Sequence, residues 1–129
     1  MELLRLLLLT IQFTLPGAPA LFYGDEVGLW GADDPDNRKP MRWPDLAYDD
    51  EVADPLGRTR EADPAGPDLD LLAFYHDLIA LRKAHPDLFA HGALEWVETD
   101  DANGRLVYRR ALGDAEALVV VNLSERGFA

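Results

Sequence analysis

Two groups of side chains in this sequence have the types and spacing to do chemistry: the adjacent carboxylates Asp25 and Glu26, and the run Asp34-Pro35-Asp36-Asn37-Arg38. Two carboxyl groups about 5 to 5.5 Å apart, one on each side of a glycosidic bond, can break it by double displacement. Asp25 and Glu26 fail that requirement on an extended strand, where neighbouring side chains point to opposite faces. One of them would face inward and help position another group through hydrogen bonds, or stand as a structural carboxylate paired with an arginine. Asp34 and Arg38 suit a different task. A carboxylate accepts hydrogen bonds from sugar hydroxyls and a guanidinium donates them in a fixed fork, so together they can grip a neutral pyranose by geometry rather than charge. Pro35 between them stiffens the loop and lowers the entropy lost on binding. The competing reading of the same pair is a solvated salt bridge.

Metal chemistry finds little support. Asp34 and Asp36 begin a D-x-D pattern, but Arg38 occupies the next ligand position and the central glycine is absent, so a calcium loop of the EF-hand type is excluded. His76, His85 and His91 have no i, i+4 pairing that would hold zinc. No cofactor motif is present. Trp30, Trp43 and Tyr48 are spread along the same stretch as Asp34 and offer faces on which sugar rings stack, although Trp30 and Trp43 suit packing anchors better. Trp96, in an alternating segment, reads as core.

The elements that must position these groups follow from pattern. Residues 2 to 13 are Leu-rich and read as a helix ended by the Pro16-Gly17 turn, its nearly all-round apolar character implying neighbours on several sides. Ala20 to Tyr23 is a short apolar run between Pro19 and Gly24, the pattern of a strand buried on both faces. Asp and Pro crowd residues 33 to 68, so 28 to 67 reads as one long loop, of the kind that carries function. A second helix starts at Asp68 or Asp70, repeats at Leu71, Phe74 or Tyr75, Leu78 and Leu81 or Arg82, gathers Arg82 and Lys83 in its last turn, and stops at Pro86. From Leu94 the period changes to two. Asn103-Gly104 and Gly113-Asp114 supply hairpin turns, and Ala117 to Leu123 is an apolar strand, making three antiparallel strands.

The chain has 129 residues, 48% of them hydrophobic and 28% charged, with a net charge of −12 and no cysteine. An acidic chain repels phosphate backbones and anionic lipid, which disfavours nucleic-acid and membrane roles, while neutral sugars approach without penalty. Absence of cysteine excludes disulfides and thiolate chemistry and fits a cytoplasmic location. Leu3 to Leu9 followed by Pro16-Gly17-Ala18-Pro19-Ala20 imitates a signal peptide, but Glu2 cancels Arg5, Thr10 and Gln12 interrupt the apolar run, and Pro19 sits in the cleavage site.

Leu15-Pro16-Gly17-Ala18-Pro19-Ala20-Leu21-Phe22-Tyr23-Gly24-Asp25-Glu26-Val27-Gly28 resembles the segment entering the eighth strand of the (β/α)8 barrel of the α-amylase family of glycoside hydrolases. Asp34-Pro35-Asp36-Asn37-Arg38 resembles a sugar-contacting loop of that family's cyclomaltodextrinase, neopullulanase and maltogenic amylase branch, and Phe74 to Lys83 is similar to the eighth barrel helix. The resemblance implies an α/β part followed by an all-β part: residues 1–90 as the end of a (β/α)8 barrel with a substrate-side loop at 28–67, and 91–129 as the first strands of an antiparallel β-sandwich. A whole barrel needs about 250 residues, so only its last part fits here. It further implies a C-terminal part of an enzyme acting on α-1,4 or α-1,6 glucosidic bonds. Its partners would be an α-glucan or maltooligosaccharide and the N-terminal part of the barrel. Asp34 and Arg38 would line substrate subsites, Asp25 and Glu26 would support the site without reacting, and the catalytic carboxylates would lie on upstream motifs that nothing in this sequence matches. The alternatives are a non-catalytic glucan-binding or structural fragment, or part of a sucrose- or trehalose-metabolising relative.

Overall fold

A computed structural model describes residues 3–124. The chain divides into two compact units, one comprising residues up to Ala20 together with His76 onward, the other Leu21–Tyr75. Helix α2 (Leu69–Ala84) begins in the second and ends in the first.

In the first unit, helix α1 (Leu3–Thr14) lays Leu7, Ile11 and the following Leu15 against Tyr108, Val119 and Val121. These belong to a three-stranded antiparallel sheet, β3 (Ala93–Asp100), β4 (Arg105–Leu112) and β5 (Ala115–Asn122), with β4 in the middle. The expected hairpins form at the expected turns, and Gly104 and Gly113 adopt the positive φ that these turns demand. Strand alternation puts Leu106, Tyr108 and Arg110 on one face of β4, opposite Val121, Val119 and Ala117. The outward leucines of α1, Leu3, Leu4 and Leu8, remain exposed. Helix α2 stops at Ala84 as Pro86 predicts, but Pro86 then serves as the first residue of a further helix, α3 (Pro86–His91), a position where its missing N–H costs nothing.

Two arginines tie this unit together. Arg110 is fully buried, has no carboxylate partner among the described residues, and donates to the carbonyl oxygens of Thr14, Leu88, Phe89 and Gly92. Arg82 donates to those of Phe13, Leu15, Gly17 and Phe89. Among these acceptors, the carbonyls of Phe13, Thr14 and Phe89 are the orphans left at the C-terminal ends of α1 and α3, where the helix dipole also favours positive charge. Burial, and then the neighbouring Arg82 charge, pull the Arg110 pKa below its ordinary value.

In the second unit, Gly24 and Gly28, both at positive φ, bracket a 3-10 turn at Asp25–Val27 whose Val27 is buried. Asp68 caps α2, its carboxylate accepting the Leu71 N–H. A short antiparallel hairpin, β1 (Glu51–Ala53) and β2 (Thr59–Asp63), turns through Asp54–Arg58.

Three expectations are corrected. Ala20 to Tyr23 is not a strand; Leu21, Phe22 and Tyr23 are exposed, and no described segment pairs with their backbone, which a parallel strand requires. The stretch 28–67 is not one loop, because it contains β1 and β2. Trp96 is not core. It is 55% exposed and meets the buried Tyr108 edge-on at 5.4 Å, beside a bulge between Trp96 and Glu98 that breaks the alternation.

Candidate functional site

The second unit holds Asp34 and Arg38 on a tight loop whose path is set by Asp36. Gly31 runs so close to that loop that a Cβ there would lie 2.4 Å from the Asp36 carbonyl oxygen. The Asp36 side chain is buried, accepts the Ala32 N–H at 2.9 Å, and has Lys39 Nζ 3.4 Å away and Arg60 Nη1 3.5 Å away. Glu51, at the start of β1, joins the same group: it accepts from Lys39 at 2.7 Å and from Arg42 and Arg60. Beneath them lies the Trp30 ring, with Lys39 Nζ 3.6 Å and the Arg60 guanidinium 4.5 Å from its centroid. Lys39 and Arg60 thus bridge both carboxylates over one aromatic face, while Arg42 adds a third charge on Glu51. The Ala32 N–H, with Lys39 and Arg60, holds the Asp36 carboxyl below its ordinary range despite burial. Burial pushes the Glu51 carboxyl up, but Lys39, Arg42 and Arg60 together bring it below its ordinary value.

This network anchors an exposed pair. Arg38 Nε lies 2.7 Å from Asp34 Oδ1, with side-chain exposures of 75% and 59%. Asp34 lines an open cleft of about 450 Å³ between residues 32–36 and 54–60; Arg38 does not line it. The loop therefore presents a pre-set carboxylate and guanidinium to solvent, and among the described residues the terminal nitrogens of Arg38 and the second carboxylate oxygen of Asp34 meet no partner.

The other candidates are dispersed. Asp25 and Glu26 lie in the 3-10 turn rather than on a strand, so the alternation argument does not describe them; Glu26 accepts the Gly24 N–H at 2.8 Å. Among the described residues neither forms an ion pair with an arginine. Trp30 is taken up by two cations. Trp43 is exposed, and its backbone N–H donates to the Tyr48 hydroxyl. Among the described residues no cluster of three metal-ligating side chains occurs, and no helix is long and apolar enough to cross a membrane. Lys39, Arg42, Glu51 and Arg60 escaped the sequence reading, because their partners are up to 24 residues apart and no local spacing announces them.

No family model matches the chain. It is 31% identical over 118 residues to a cyclomaltodextrinase of Geobacillus thermopakistaniensis, covering 92% of this chain and 17% of that protein. It is 34% identical over 107 residues to the intracellular maltogenic amylase of Bacillus subtilis, covering 83% and 15%. The crystal structure of a maltogenic amylase from S. marinus superposes with a TM-score of 0.72 at 28% identity, over 98% of this chain and 15% of that one. The chain thus spans about one sixth of the length of these relatives, and its few helices and antiparallel sheets match the C-terminal region of such proteins. Over that span the chain belongs to the α-amylase family, alongside the proteins named cyclomaltodextrinase, maltogenic amylase and neopullulanase.

Proposed function

We propose that this chain contributes a substrate-holding surface to a glycoside hydrolase acting on α-glucans, as the last part of a (β/α)8 barrel and the opening strands of a β-sandwich. In this reading residues 1–90 belong to the barrel and 91–129 to the sandwich, and the catalytic carboxylates come from the N-terminal part of the barrel. The observation that carries the reading is the exposed Asp34–Arg38 pair on a loop clamped by buried Asp36. Arg38 Nε is engaged by Asp34, which orients the guanidinium and leaves its two terminal nitrogens to donate to sugar hydroxyls. The second carboxylate oxygen of Asp34 remains to accept. A neutral glucose unit is thereby held by directional bonds, and the net charge of −12 does not oppose its approach. Asp25 and Glu26 shape the turn between Gly24 and Gly28 and break no bond. The similarity to cyclomaltodextrinases and maltogenic amylases supports α-glucans as the substrate class.

The test is a titration of the ¹⁵N-labelled chain with maltotriose, followed by amide shifts. Shifts are expected at Asp34 to Arg38 and are expected to be lost in Arg38→Ala. A titration that leaves those amides unmoved, or one that Arg38→Ala does not alter, overturns the reading in favour of a structural salt bridge.

A further inference from the structure

The loop of Asp34 faces a second wall, and the two walls carry the same device. The β1–β2 turn runs through Asp54, Pro55, Leu56, Gly57 and Arg58. Asp54 organises it: Oδ1 accepts the N–H groups of Leu56 at 2.9 Å and Arg58 at 2.8 Å, while Oδ2 accepts Arg58 Nε at 2.5 Å. The Arg58 N–H, then its side chain, and the Leu56 N–H together pull the Asp54 carboxyl below its ordinary range. Gly57, at φ 78°, closes the turn in a conformation other residues resist. Arg58 is therefore oriented through its Nε by the carboxylate four residues before it, as Arg38 is oriented by Asp34. Its side chain is 77% exposed, and neither terminal nitrogen has a partner among the described residues.

We infer that the turn Asp54–Arg58 is the opposing wall of the sugar subsite, with Arg58 donating to hydroxyls and Leu56 and Pro55 lying against the apolar face of a pyranose. Four observations converge on it. The cleft of about 450 Å³ is lined by Asp34 and Pro35 on one side and by Pro55, Leu56 and Arg58 on the other. That volume accommodates a sugar of one to two rings. Leu56 is among the most exposed large apolar side chains described and turns an apolar surface to solvent at the cleft. The two walls are coupled, because Glu51 on β1 and Arg60 on β2 belong to the network that fixes Asp36. A pyranose offers hydroxyls around its edge and C–H groups on its faces, so a guanidinium edge beside an apolar patch is complementary to it. Orientation by Asp54 removes much of the arginine's rotamer entropy before the sugar arrives.

This inference rests on the reading of Asp34 and Arg38 as sugar ligands, and its test separates the two. In the maltotriose titration of the full chain, the amides of Leu56 to Thr59 are expected to shift together with those of Asp34 to Arg38. Arg58→Ala should weaken the apparent affinity about tenfold or more, the loss of a charged hydrogen bond. Leu56→Ser should weaken it by a smaller factor. Trp30 fluorescence, read in a Trp43→Phe, Trp96→Phe background and reporting the stacked Lys39 and Arg60, should stay unchanged in both variants and so exclude a collapsed loop. Shifts confined to residues 34–38, with full affinity in Arg58→Ala, overturn the second wall and leave the first standing. Shifts at neither wall overturn both. Sorbitol at equal concentration serves as the probe for nonspecific polyol effects, and shifts of the same size with it also overturn the inference.

Discussion

Replacing Arg110 by Met should cost the first unit more than any other single change on β4, although the residue touches no candidate ligand. Met keeps an apolar stem of similar length and removes the guanidinium, so four carbonyls lose a charged hydrogen bond: those of Thr14 and Gly92, and those of Leu88 and Phe89, which keep the Gly92 N–H and Arg82 respectively. Hydrogen bonds to a charged donor contribute about 1.5–3 kcal/mol each, which for four acceptors sums to roughly 6–12 kcal/mol. The sum overshoots, because the unfolded variant no longer has a guanidinium to desolvate on folding, a gain of several kcal/mol. A net loss of about 3–5 kcal/mol remains, comparable to breaking a buried ionic contact. Against a total stability of about 5–15 kcal/mol this is a large share. At about 4 °C per kcal/mol the melting midpoint should fall by about 12 °C or more. The assay is urea and thermal unfolding followed by near-ultraviolet circular dichroism. The control is its neighbour: Arg109 points to the other face of the strand and pairs with exposed Glu95 at 2.6 Å and Glu116 at 2.9 Å, so Arg109→Ala should leave the midpoint nearly unchanged. Arg110→Lys should fall between the two, since an ammonium cannot reach four carbonyls at once. If Arg110→Met and Arg109→Ala lose the same amount, the idea that one buried guanidinium caps two helices is wrong.

Other consequences concern the second unit. Asp36 and Glu51 have folded-state pKa values below the ordinary 3.8 and 4.5, so the unfolded chain takes up protons first as pH falls. Their stabilisation is complete above those ordinary values and is lost as pH falls through the depressed ones. Trp30 fluorescence, in a background with Trp43→Phe and Trp96→Phe, should therefore be flat from pH 7 to 5 and change below about pH 4.5; Glu51→Gln should flatten the acid limb, and an unchanged limb would remove Glu51 from the account. Gly31→Ala must push its Cβ against the Asp36 backbone, an overpacking cost of about 1–3 kcal/mol, visible as displaced amide resonances from Ala32 to Arg38. Undisplaced resonances would show that the loop is not held as tightly as the geometry requires. The purified chain, incubated with cyclodextrin, pullulan or starch, should release no reducing sugar above a blank, because a retaining mechanism needs a paired acid and nucleophile. Turnover that disappears on mutating Asp25 or Glu26 would overturn that statement.

Local chemistry was legible wherever one segment sufficed. The Leu-rich helix α1, the helix that Asp68 caps and Ala84 ends, and the two hairpins at Asn103-Gly104 and Gly113-Asp114 all follow from residue order, because turns, caps and periodicity act over a few residues. The Asp34–Arg38 pair was readable for the same reason, its partners being four residues apart. The misreadings came where a partner distant in sequence decides the outcome. Ala20 to Tyr23 has the composition of a buried strand, yet a strand exists only when another backbone pairs with it. Trp96 has the alternation of a core residue, but the bulge at Val97 and the end of α1's contact with the sheet leave it open. Sequence order alone determined which residues turn, cap and carry charge. Only the tertiary structure decided that Lys39, Arg42 and Arg60 converge on Glu51 and Asp36, and that Arg110 reaches two helix ends. Coulomb attraction and buried hydrogen bonds depend on distance in space, and folding sets that distance across separations that no sequence spacing encodes.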